Sequence, residues 1–427
     1  MKWIFLAILV VLLGCSYLIY ATLPEQETDK PVIYWVTDRN PARNQQVELF
    51  HTWMAENYPD KEVLLQLDMG NRDGQKQIIQ GVSGVGGDIQ DSGSSQIRLF
   101  HSMGIVEHIT EDAERLGFGL DQTFPALATD LTVTVNGKVE QVAFPCNVAN
   151  SRYIVNDGLL RELDFPPPPA QWDVETFEEY GKRFVEVANR EQRTRRRFLT
   201  RDVPLDVLHR SLGIDMFNET LTGAGTDDFA LTPDGLAEER GFVTTMKKIY
   251  QWRNVDRILP TPSEIQALNT EGGYGGAALA SFERGDFLIN NSGRWELIKM
   301  RETNELRVRR LEAKLDELDA AGFTELRPIW ESEGVVAMFD RLEEMLDAGA
   351  DIPESMRPDP IYDGPLVFST TQFPAFYMPN SLIQTRAAIL YTGSPNKELA
   401  ALFLKFLASE EYNANIVADA DGLPPNP

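Results

Sequence analysis

The sequence of 427 residues contains 65 acidic side chains and 40 Lys or Arg side chains, which gives a formal net charge of −25 at pH 7. This charge excludes a general nucleic-acid-binding protein and argues against adhesion to anionic lipid, because both need basic surfaces. With 43% hydrophobic residues the chain can form folded cores, and its length is typical of two or three domains.

The N-terminus predicts export from the cytoplasm. Lys2 is followed by an uncharged, largely apolar run over residues 3–23, which is long enough to span a bilayer as a helix. The segment Leu12-Leu13-Gly14-Cys15 resembles a bacterial lipobox with Cys15 as the lipidated residue. An uncleaved transmembrane anchor, a lipoprotein signal and an ordinary signal peptide stay open, and each places the rest of the chain in the periplasm or at the cell surface. Residues 24–30 are predicted to be a polar tether to the membrane.

The next hundred residues predict alternating strands and helices. A strand is expected over 31–36, followed by a helix whose apolar face ends before Tyr58-Pro59. A second strand is expected over 62–67 and a short helix over 75–82. A β-α-β-α order predicts an α/β fold with a mostly parallel sheet.

Further elements follow in the middle and at the end of the chain. Asn136-Gly137 between β-branched runs predicts a type I′ hairpin, and Phe144-Pro145 is expected to end that hairpin at a hinge. Helices are predicted over 172–187, 306–318 and 399–407, the last with apolar residues at i, i+3, i+4, i+7 and i+8.

Motifs of catalysis or metal binding are missing from the sequence. There is no P-loop, no H-E-x-x-H and no G-x-S-x-G segment, and two cysteines with four histidines have no zinc spacing. We therefore expect neither metal nor cofactor, and no enzymatic activity. Composition alone leaves open the carboxylate pair of a glycoside hydrolase. Cys146 is expected to be a small buried side chain. Residues 190–201 contain six arginines, and we expect them to form either a solvated surface segment or a contact for an anion or a transporter.

Six short segments occur in an order and spacing that indicate a known family. They are Phe144-Pro145-Cys146-Asn147, Tyr153–Asn156, Gln171-Trp172-Asp173, Glu271–Gly276, Asn291–Trp295 and Ser394–Phe403. From about Pro31 to Pro427 the chain resembles the family 1 extracellular solute-binding proteins of ABC importers, the maltose-binding-like group of carbohydrate type. Such proteins usually continue beyond the last of these segments, so the resemblance implies either a shortened member or an incomplete chain at Pro427.

The resemblance implies a two-lobed periplasmic-binding-protein fold of type II, with a ligand cleft between hinged lobes. Lobe one is expected to hold 31–143 plus 383–427, and lobe two 148–380. The implied function is capture of a sugar or oligosaccharide for the membrane permease subunits of an ABC importer, by a monomer that closes around its ligand. A sensory ligand-binding protein and an exported glycoside hydrolase stay as alternatives.

Sugar sites combine aromatic side chains for the ring faces with polar side chains for the hydroxyl groups. Residues of these types at predicted strand ends and turns are the candidate ligand-binding residues. They are Trp35, Asp38, Asp88, Asp91, Asn147, Asn150, Tyr274, Arg294 and Trp295. Four have a structural alternative: core packing for Trp35, a helix N-cap for Asp38, a turn cap for Asp88, and support of the hinge backbone for Asn147.

Overall fold

The structure, a computed structural model, describes residues 30–190, 195–213, 241–268, 276–419 and 421–426, together with Gly14. In these ranges the strands are β1 Val32–Val36, β2 Leu64–Asp68, β3 Ile89–Gly93, β4 Thr132–Val135, β5 Lys138–Gln141, β6 Phe144–Asn150, β7 Arg152–Asn156, β8 Phe198–Thr200, β9 Phe287–Ser292, β10 Phe368–Thr371 and β11 Ile383–Leu390.

The α-helices in the same ranges are α1 Ala42–Asn57, α2 Gly74–Val82, α3 Ser94–Ser102, α4 Thr110–Leu116, α5 Ala128–Leu131, α6 Asp157–Glu162, α7 Val174–Ala188, α8 Leu205–Arg210, α9 Gly241–Asn254, α10 Pro262–Leu268, α11 Gly276–Glu283, α12 Glu296–Ala320, α13 Leu326–Glu333, α14 Val335–Asp347, α15 Lys397–Leu407 and α16 Glu410–Ala418.

Two sheets organise the described part of the chain. The first has the strand order β2-β1-β3-β11-β6, in which β1, β2 and β3 run parallel and β11 is antiparallel to both of its neighbours. The second has the order β10-β7-β9-β8, with β8 and β9 parallel and β7 antiparallel to β9 and β10. The α/β class predicted from the sequence is confirmed.

Each sheet has a hydrophobic core of its own. The core of the first sheet joins β1 and α1 to the C-terminal helix α15, with Trp35, Phe50 and Phe403 fully buried in it. The core of the second sheet packs β7 and β9 against α7 and α9, around side chains that include Phe177 and Trp252. The last long helix thus returns to the sheet that the first strand begins.

The predicted hairpin is confirmed at its turn. Strands β4 and β5 pair antiparallel, and the two loop residues Asn136 and Gly137 have φ angles of 52° and 80°. Both angles lie in the left-handed region that a type I′ turn requires, which Asn tolerates and Gly adopts without steric strain.

The helix predicted over 306–318 is the second half of a longer one, α12, which begins at Glu296. Leu311, Leu315 and Leu318 form the predicted stripe and are fully buried against α14. The first half carries a mixed pattern of charged and apolar residues, which is why the sequence did not predict it.

The arginine-rich segment is only partly surface. Residues 191–194 lie outside the described residues. Arg197 is 7% exposed, and its guanidinium donates to both carboxylate oxygens of Glu162 at 2.9 Å. The prediction of a solvated segment is wrong for this side chain, because Arg197 is buried in a bidentate ion pair with Glu162 at the end of α6.

The predicted anchor or signal at residues 1–23, including Cys15, lies outside the described residues apart from Gly14. Within the ranges that the structure describes, no helix combines the length and the apolar character needed to cross a membrane.

Candidate functional site at the sheet junction

The two sheets meet where the chain passes directly from one to the other. β6 ends at Asn150 and β7 begins at Arg152, so that Ser151 alone separates them. The backbone N–H of Ser151 donates to the carbonyl of Leu382 at 2.9 Å, on the second passage between the sheets, which joins β10 to β11. Phe144-Pro145, predicted to lie at a hinge, is buried inside β6 instead, and the passage comes at Ser151.

This connection brings strand ends of both sheets to one region. Because β6 runs parallel to β1, β2 and β3, the carboxyl ends of these strands lie at the same edge as Asn150. Because β7 is antiparallel to β9, the carboxyl ends of β8 and β9 lie beside Arg152. We call this region the sheet junction; it comprises residues 37–39, 69–72, 150–152, 201–202 and 291–299. Strand ends that meet between two α/β units are a common place for ligand sites.

A buried group of charges lies behind the first sheet's edge. Its members are Asp38, Arg43, Asp91, Arg386 and Asp421, which we call the ionic cluster. Arg43 in α1 is fully buried and pairs with Asp38 at 2.9 Å and with Asp421 at 2.5 Å. Arg386 lies 3.5 Å from carboxylate oxygens of Asp38, Asp91 and Asp421. Burial alone would raise the pKa of Asp38, but Arg386 and Arg43 outweigh it and hold that pKa well below its usual range.

Two of the predicted ligand-binding residues, Trp35 and Asp91, are enclosed in the protein. The Trp35 ring has no exposed surface and contacts the ring of Phe403 at a centroid distance of 4.8 Å. Its indole N–H donates to Asp91 at 2.7 Å, and the hydroxyl of Thr37 donates to the same carboxylate at 2.6 Å. The structural alternative for Trp35, core packing, describes its surroundings, and neither residue presents a free surface to a ligand in this structure.

Cys146 is fully buried as expected, with its thiol 3.3 Å from Asp91. Burial, followed by the negative charge of Asp91, raises the pKa of this thiol well above its usual value. A thiol that stays protonated in this way is not a nucleophile.

Asp88 and Asn147 also engage the protein itself. The carboxylate of Asp88 accepts from the backbone N–H of Tyr34 at 2.8 Å and from the hydroxyl of Ser394 at 2.5 Å. The side-chain amide of Asn147 donates to the carbonyl of Asp421 at 2.5 Å. Both residues connect distant segments of the first sheet. This agrees in part with the structural alternatives given above, a turn cap for Asp88 and support of the hinge backbone for Asn147.

Asp38 is not the N-cap that its alternative reading proposed. The residue before α1 is Pro41, and the amide oxygen of Asn40, not the carboxylate of Asp38, accepts from the first backbone N–H of the helix, that of Ala42, at 3.0 Å. The side chain of Asp38 keeps 18% of its surface exposed at the sheet junction, while its oxygens pair with Arg43. It therefore stands between the ionic cluster and the open side of the junction.

The turn after β9 carries the two predicted residues of the second sheet. Arg294 donates to the carbonyls of Gly422 and Val417, both at 2.6 Å, so it contacts the segment that follows the first sheet's last helix. Trp295 is half-buried, and the ammonium group of Lys299 lies 4.0 Å from its ring centroid. A Cβ at Gly293 would lie 2.8 Å from the indole nitrogen, so glycine is needed for this ring position.

Charges from both sheets act on one another across the junction. Burial lowers the pKa of Lys299, the negative charges of Glu296 and Asp38 oppose that change, and the positive charge of Arg72 adds to it. Lys299 belongs to α12 after the second sheet's β9, whereas Asp38 and Arg72 follow strands of the first. Burial raises the pKa of Glu296 to about 7, and its carboxyl group accepts from Asn290 at 2.7 Å.

Asn150 adds an acceptor without a partner to this region. It ends β6, and its amide oxygen is buried with no hydrogen bond in the described structure. Such an atom is costly unless a ligand or water satisfies it. Tyr274, the remaining predicted residue, lies outside the described residues.

Sequence reasoning missed a polar group at the end of β8. Asp202 is surrounded by Arg201, Arg253 and Asn291, and the hydroxyl of Tyr153 donates to its carbonyl at 3.0 Å. Burial raises the pKa of Asp202, and the two arginines oppose that rise. The signal available in the sequence was the position of Arg201-Asp202 directly after a short apolar run, which the arginine-rich surroundings obscured.

A cavity of about 890 Å³ lies away from the junction, between α6 and α14. It is lined by apolar residues such as Leu160, Phe165 and Phe339 together with acidic side chains at its rim. In the described ranges no group of three or more His, Cys, Asp or Glu side chains is arranged to hold a metal ion.

Comparison with solved structures identifies the fold. The chain is similar to an ABC substrate-binding protein from Listeria monocytogenes in complex with cycloalternan, with 14% identity, a TM-score of 0.63, and coverage of 93% of this chain and 80% of that one. It is also similar to maltose-bound MalE3 of T. maritima, at 12% identity and a TM-score of 0.56, with 92% and 81% of the chains covered.

A third similar structure is the maltose/maltodextrin-binding domain MalE of Bdellovibrio bacteriovorus bound to maltotriose, at 17% identity and a TM-score of 0.55, over 92% and 81% of the chains. No family model matches the sequence, and no curated protein matches it. The chain thus has the two-lobed α/β fold of the sugar-binding proteins of ABC transporters, as the sequence resemblance predicted.

Proposed function

We propose that this protein is the extracytoplasmic ligand-binding component of an ABC importer and that it captures a sugar or oligosaccharide between its lobes. The observation that carries the proposal is the match of more than nine-tenths of the chain to solved binding proteins that hold maltose, maltotriose or cycloalternan. Those proteins bind saccharides, which favours binding over the exported glycoside hydrolase.

The lobes we propose follow the two sheets. The sequence predicts lobe one over 31–143 plus 383–427 and lobe two over 148–380. We propose one change to these bounds: all of β6 would belong to lobe one, because it pairs with β11 of the first sheet, and the chain would pass to lobe two at Ser151. The packing of α15 on β1 and α1 supports this division. Closure would bring the turn after β9 toward the ends of β1 and β2.

Within the sheet junction, we propose that Trp295 stacks on a sugar ring and that Arg294, Asn150 and Asp38 bind hydroxyl groups. The partly exposed side chain of Trp295 supports the first role, and the amide oxygen of Asn150, which has no hydrogen bond within the described structure, supports the second. Tyr274 stays a predicted ligand residue. Trp35, Asp88, Asp91 and Asn147 would act by holding the first lobe's edge in position, since their polar groups are engaged within the protein.

The partners we propose are the permease subunits of the importer, which a monomer would approach with both lobes closed. Tethering through residues 1–23 would keep the protein close to that permease. A sensory protein that reports its ligand to a membrane receptor is the second candidate. Uptake of the ligand by cells that contain the intact gene, and its loss on deletion, would favour import over sensing.

The experiment that tests the proposal is a thermal-shift screen of the purified chain against mono- and oligosaccharides, followed by calorimetry on those that stabilise it. Trp295→Ala is expected to weaken binding about tenfold with little change in unfolding, because stacking on an aromatic ring contributes on the order of 1–2 kcal/mol. Trp330→Ala, another half-buried tryptophan on α13, is the matched control and should leave affinity unchanged.

Three results would contradict the proposal. One is the absence of any carbohydrate that stabilises the folded protein. The second is a Trp295→Ala protein that binds as tightly as the parent. The third is turnover of a chromogenic glycoside by the purified chain, which would favour the alternative function, an exported glycoside hydrolase.

A further inference from the structure

The sheet junction of this acidic protein contains many basic side chains. They come from both lobes: Arg39 and Arg72 follow β1 and β2, whereas the others belong to the second sheet or pack beside it. The second group consists of Arg152, Arg201, Arg294 and Lys299 within the junction, together with Arg253 of α9, which lies beside Asp202. In a chain with a net charge of −25, such a concentration at one place is not expected from composition.

Several of these cations form no close ion pair within the described part of the chain. Arg39, Arg72 and Arg152 form no hydrogen bond or ion pair with any residue in the described ranges. Among the described residues, Arg294 donates to two backbone carbonyls and to no carboxylate, so its positive charge is not compensated there. The Nε of Arg253 is buried with no hydrogen-bond partner in the part of the chain that the structure describes. Donor groups in this state favour an acceptor that the protein itself does not supply.

The acidic side chains of lobe one near the junction are, in contrast, already engaged. Asp38 pairs with Arg43 in the ionic cluster. Asp68 accepts from the N–H of Gly70 and from Asn71, and Asp73 caps α2 by accepting from two backbone N–H groups. The oxygens of these carboxylates are thus already used as acceptors within the protein.

On lobe two the negative charge is weakened by burial. The carboxyl group of Glu296 is 3% exposed with a pKa raised to about 7, so a large fraction of it is neutral at pH 7. Asp202 faces two arginines, Arg201 and Arg253, so its single charge cannot balance both. Within the ranges that define the sheet junction, basic side chains therefore outnumber acidic ones on both lobes.

We infer that the ligand of this protein is an acidic saccharide, one that carries a carboxylate or phosphate group in addition to its hydroxyls. This inference rests on the proposed function and narrows its substrate class. Guanidinium groups bind planar carboxylates and phosphate oxygens through paired N–H donors, which neutral hydroxyls do not match. The side chain of Arg152 is well placed for this role, because it begins β7 opposite Ser292, next to the turn that carries Trp295.

The test compares acidic and neutral saccharides of the same size on the full chain by calorimetry. One arm uses a galacturonic acid trimer against a neutral galactose trimer, and the other a sugar phosphate against its parent sugar. In one arm we expect the acidic saccharide to bind at least tenfold more tightly than the neutral one. The arm in which this occurs shows whether the recognised group is a carboxylate or a phosphate. Binding of that ligand should weaken several-fold when salt rises from about 0.02 M to about 0.3 M, since exposed charges are then screened.

Two variants assign the effect to the junction. Arg152→Gln is expected to weaken binding of the acidic ligand at least tenfold and to reduce the salt dependence of that binding. Arg152→Lys should retain part of the affinity and part of the salt dependence. Arg309→Gln, on the exposed face of α12 away from the junction, removes one positive charge in the same way and should change neither.

The outcomes separate this inference from the proposed function. If a neutral saccharide binds as tightly as its acidic counterpart in both arms, or if Arg152→Gln leaves acidic-ligand affinity intact, the inference is wrong and the sugar-binding function stands. If the folded protein binds no saccharide of either kind, both are wrong.

Discussion

Replacing Glu296 by glutamine should make the protein more stable above neutral pH. Glu296 begins α12, its side chain is 3% exposed, and its carboxyl group accepts from the amide of Asn290. Burial raises its pKa from 4.5 to about 7, against the opposing effect of Lys299. Glutamine keeps the shape and the acceptor oxygen but has no charge to bury.

The size and sign follow from proton linkage. Below pH 4.5 the folded and unfolded chains both hold this proton, so it contributes nothing to stability. Between pH 4.5 and about 7 the unfolded chain releases the proton while the folded chain keeps it, so the free energy of unfolding falls as pH rises. Above that window the loss is complete and amounts to about 3 kcal/mol.

The measurement is urea denaturation of the parent and of Glu296→Gln, followed by tryptophan fluorescence at several pH values. The two proteins should be equally stable near pH 4, and the variant should be more stable by about 3 kcal/mol near pH 8. Glu305→Gln, on an exposed turn of the same helix, is the control and should follow the parent. Parallel profiles of parent and Glu296→Gln across this range would refute the reasoning.

Three further predictions concern the core, the ionic cluster and the N-terminus. Trp35→Ala should lower the free energy of unfolding by about 3–5 kcal/mol, measured by denaturation, because it opens a cavity against Phe403; a loss below about 1 kcal/mol would contradict its place in the core. Asp421→Asn should cost about 3–5 kcal/mol in the same assay by leaving Arg43 buried and underpaired; unchanged stability would contradict this. Cys15→Ser should abolish fatty-acid labelling of a lipoprotein but leave a spanning helix in the membrane fraction, and native protein found free in the cytosol would contradict tethering.

The fold could be predicted largely from local patterns. Apolar runs bounded by turn residues correspond to β1 and β2, and helical periodicity corresponds to α1, α7 and α15. Such patterns are sufficient because each buries one face against a single sheet. The position of the passage between the sheets was misplaced at Phe144-Pro145, since a buried strand and a hinge strand have the same apolar composition.

The site was harder to predict because its polar residues are sorted by contacts between distant segments. Asp38 and Asp91 have similar positions after or within strands of the first sheet, but only Asp38 keeps an exposed edge. The difference depends on Arg43 and Asp421, which lie 378 positions apart in the sequence. Local spacing contains no information about such a pairing. The turn that carries Trp295, in contrast, could be predicted because the glycine that forms it, Gly293, is a sequence neighbour.

The C-terminal segment links the edge of the first sheet to the turn after β9 of the second sheet. The carboxylate of Asp421 pairs with Arg43, and its carbonyl accepts from Asn147, so this residue holds the first sheet's edge from behind. The next residue, Gly422, has a φ of 108° and lies close to β6, where a Cβ would approach the carbonyl of Val148 to 3.0 Å. Only glycine fits this conformation, and it leaves the Gly422 carbonyl free to accept from Arg294 of the second sheet. Asp421 and Asn147 are thus engaged in fixing this edge of the first sheet. The proposed ligand contacts therefore depend mainly on Trp295 in the turn after β9 and on Arg152 at the start of β7.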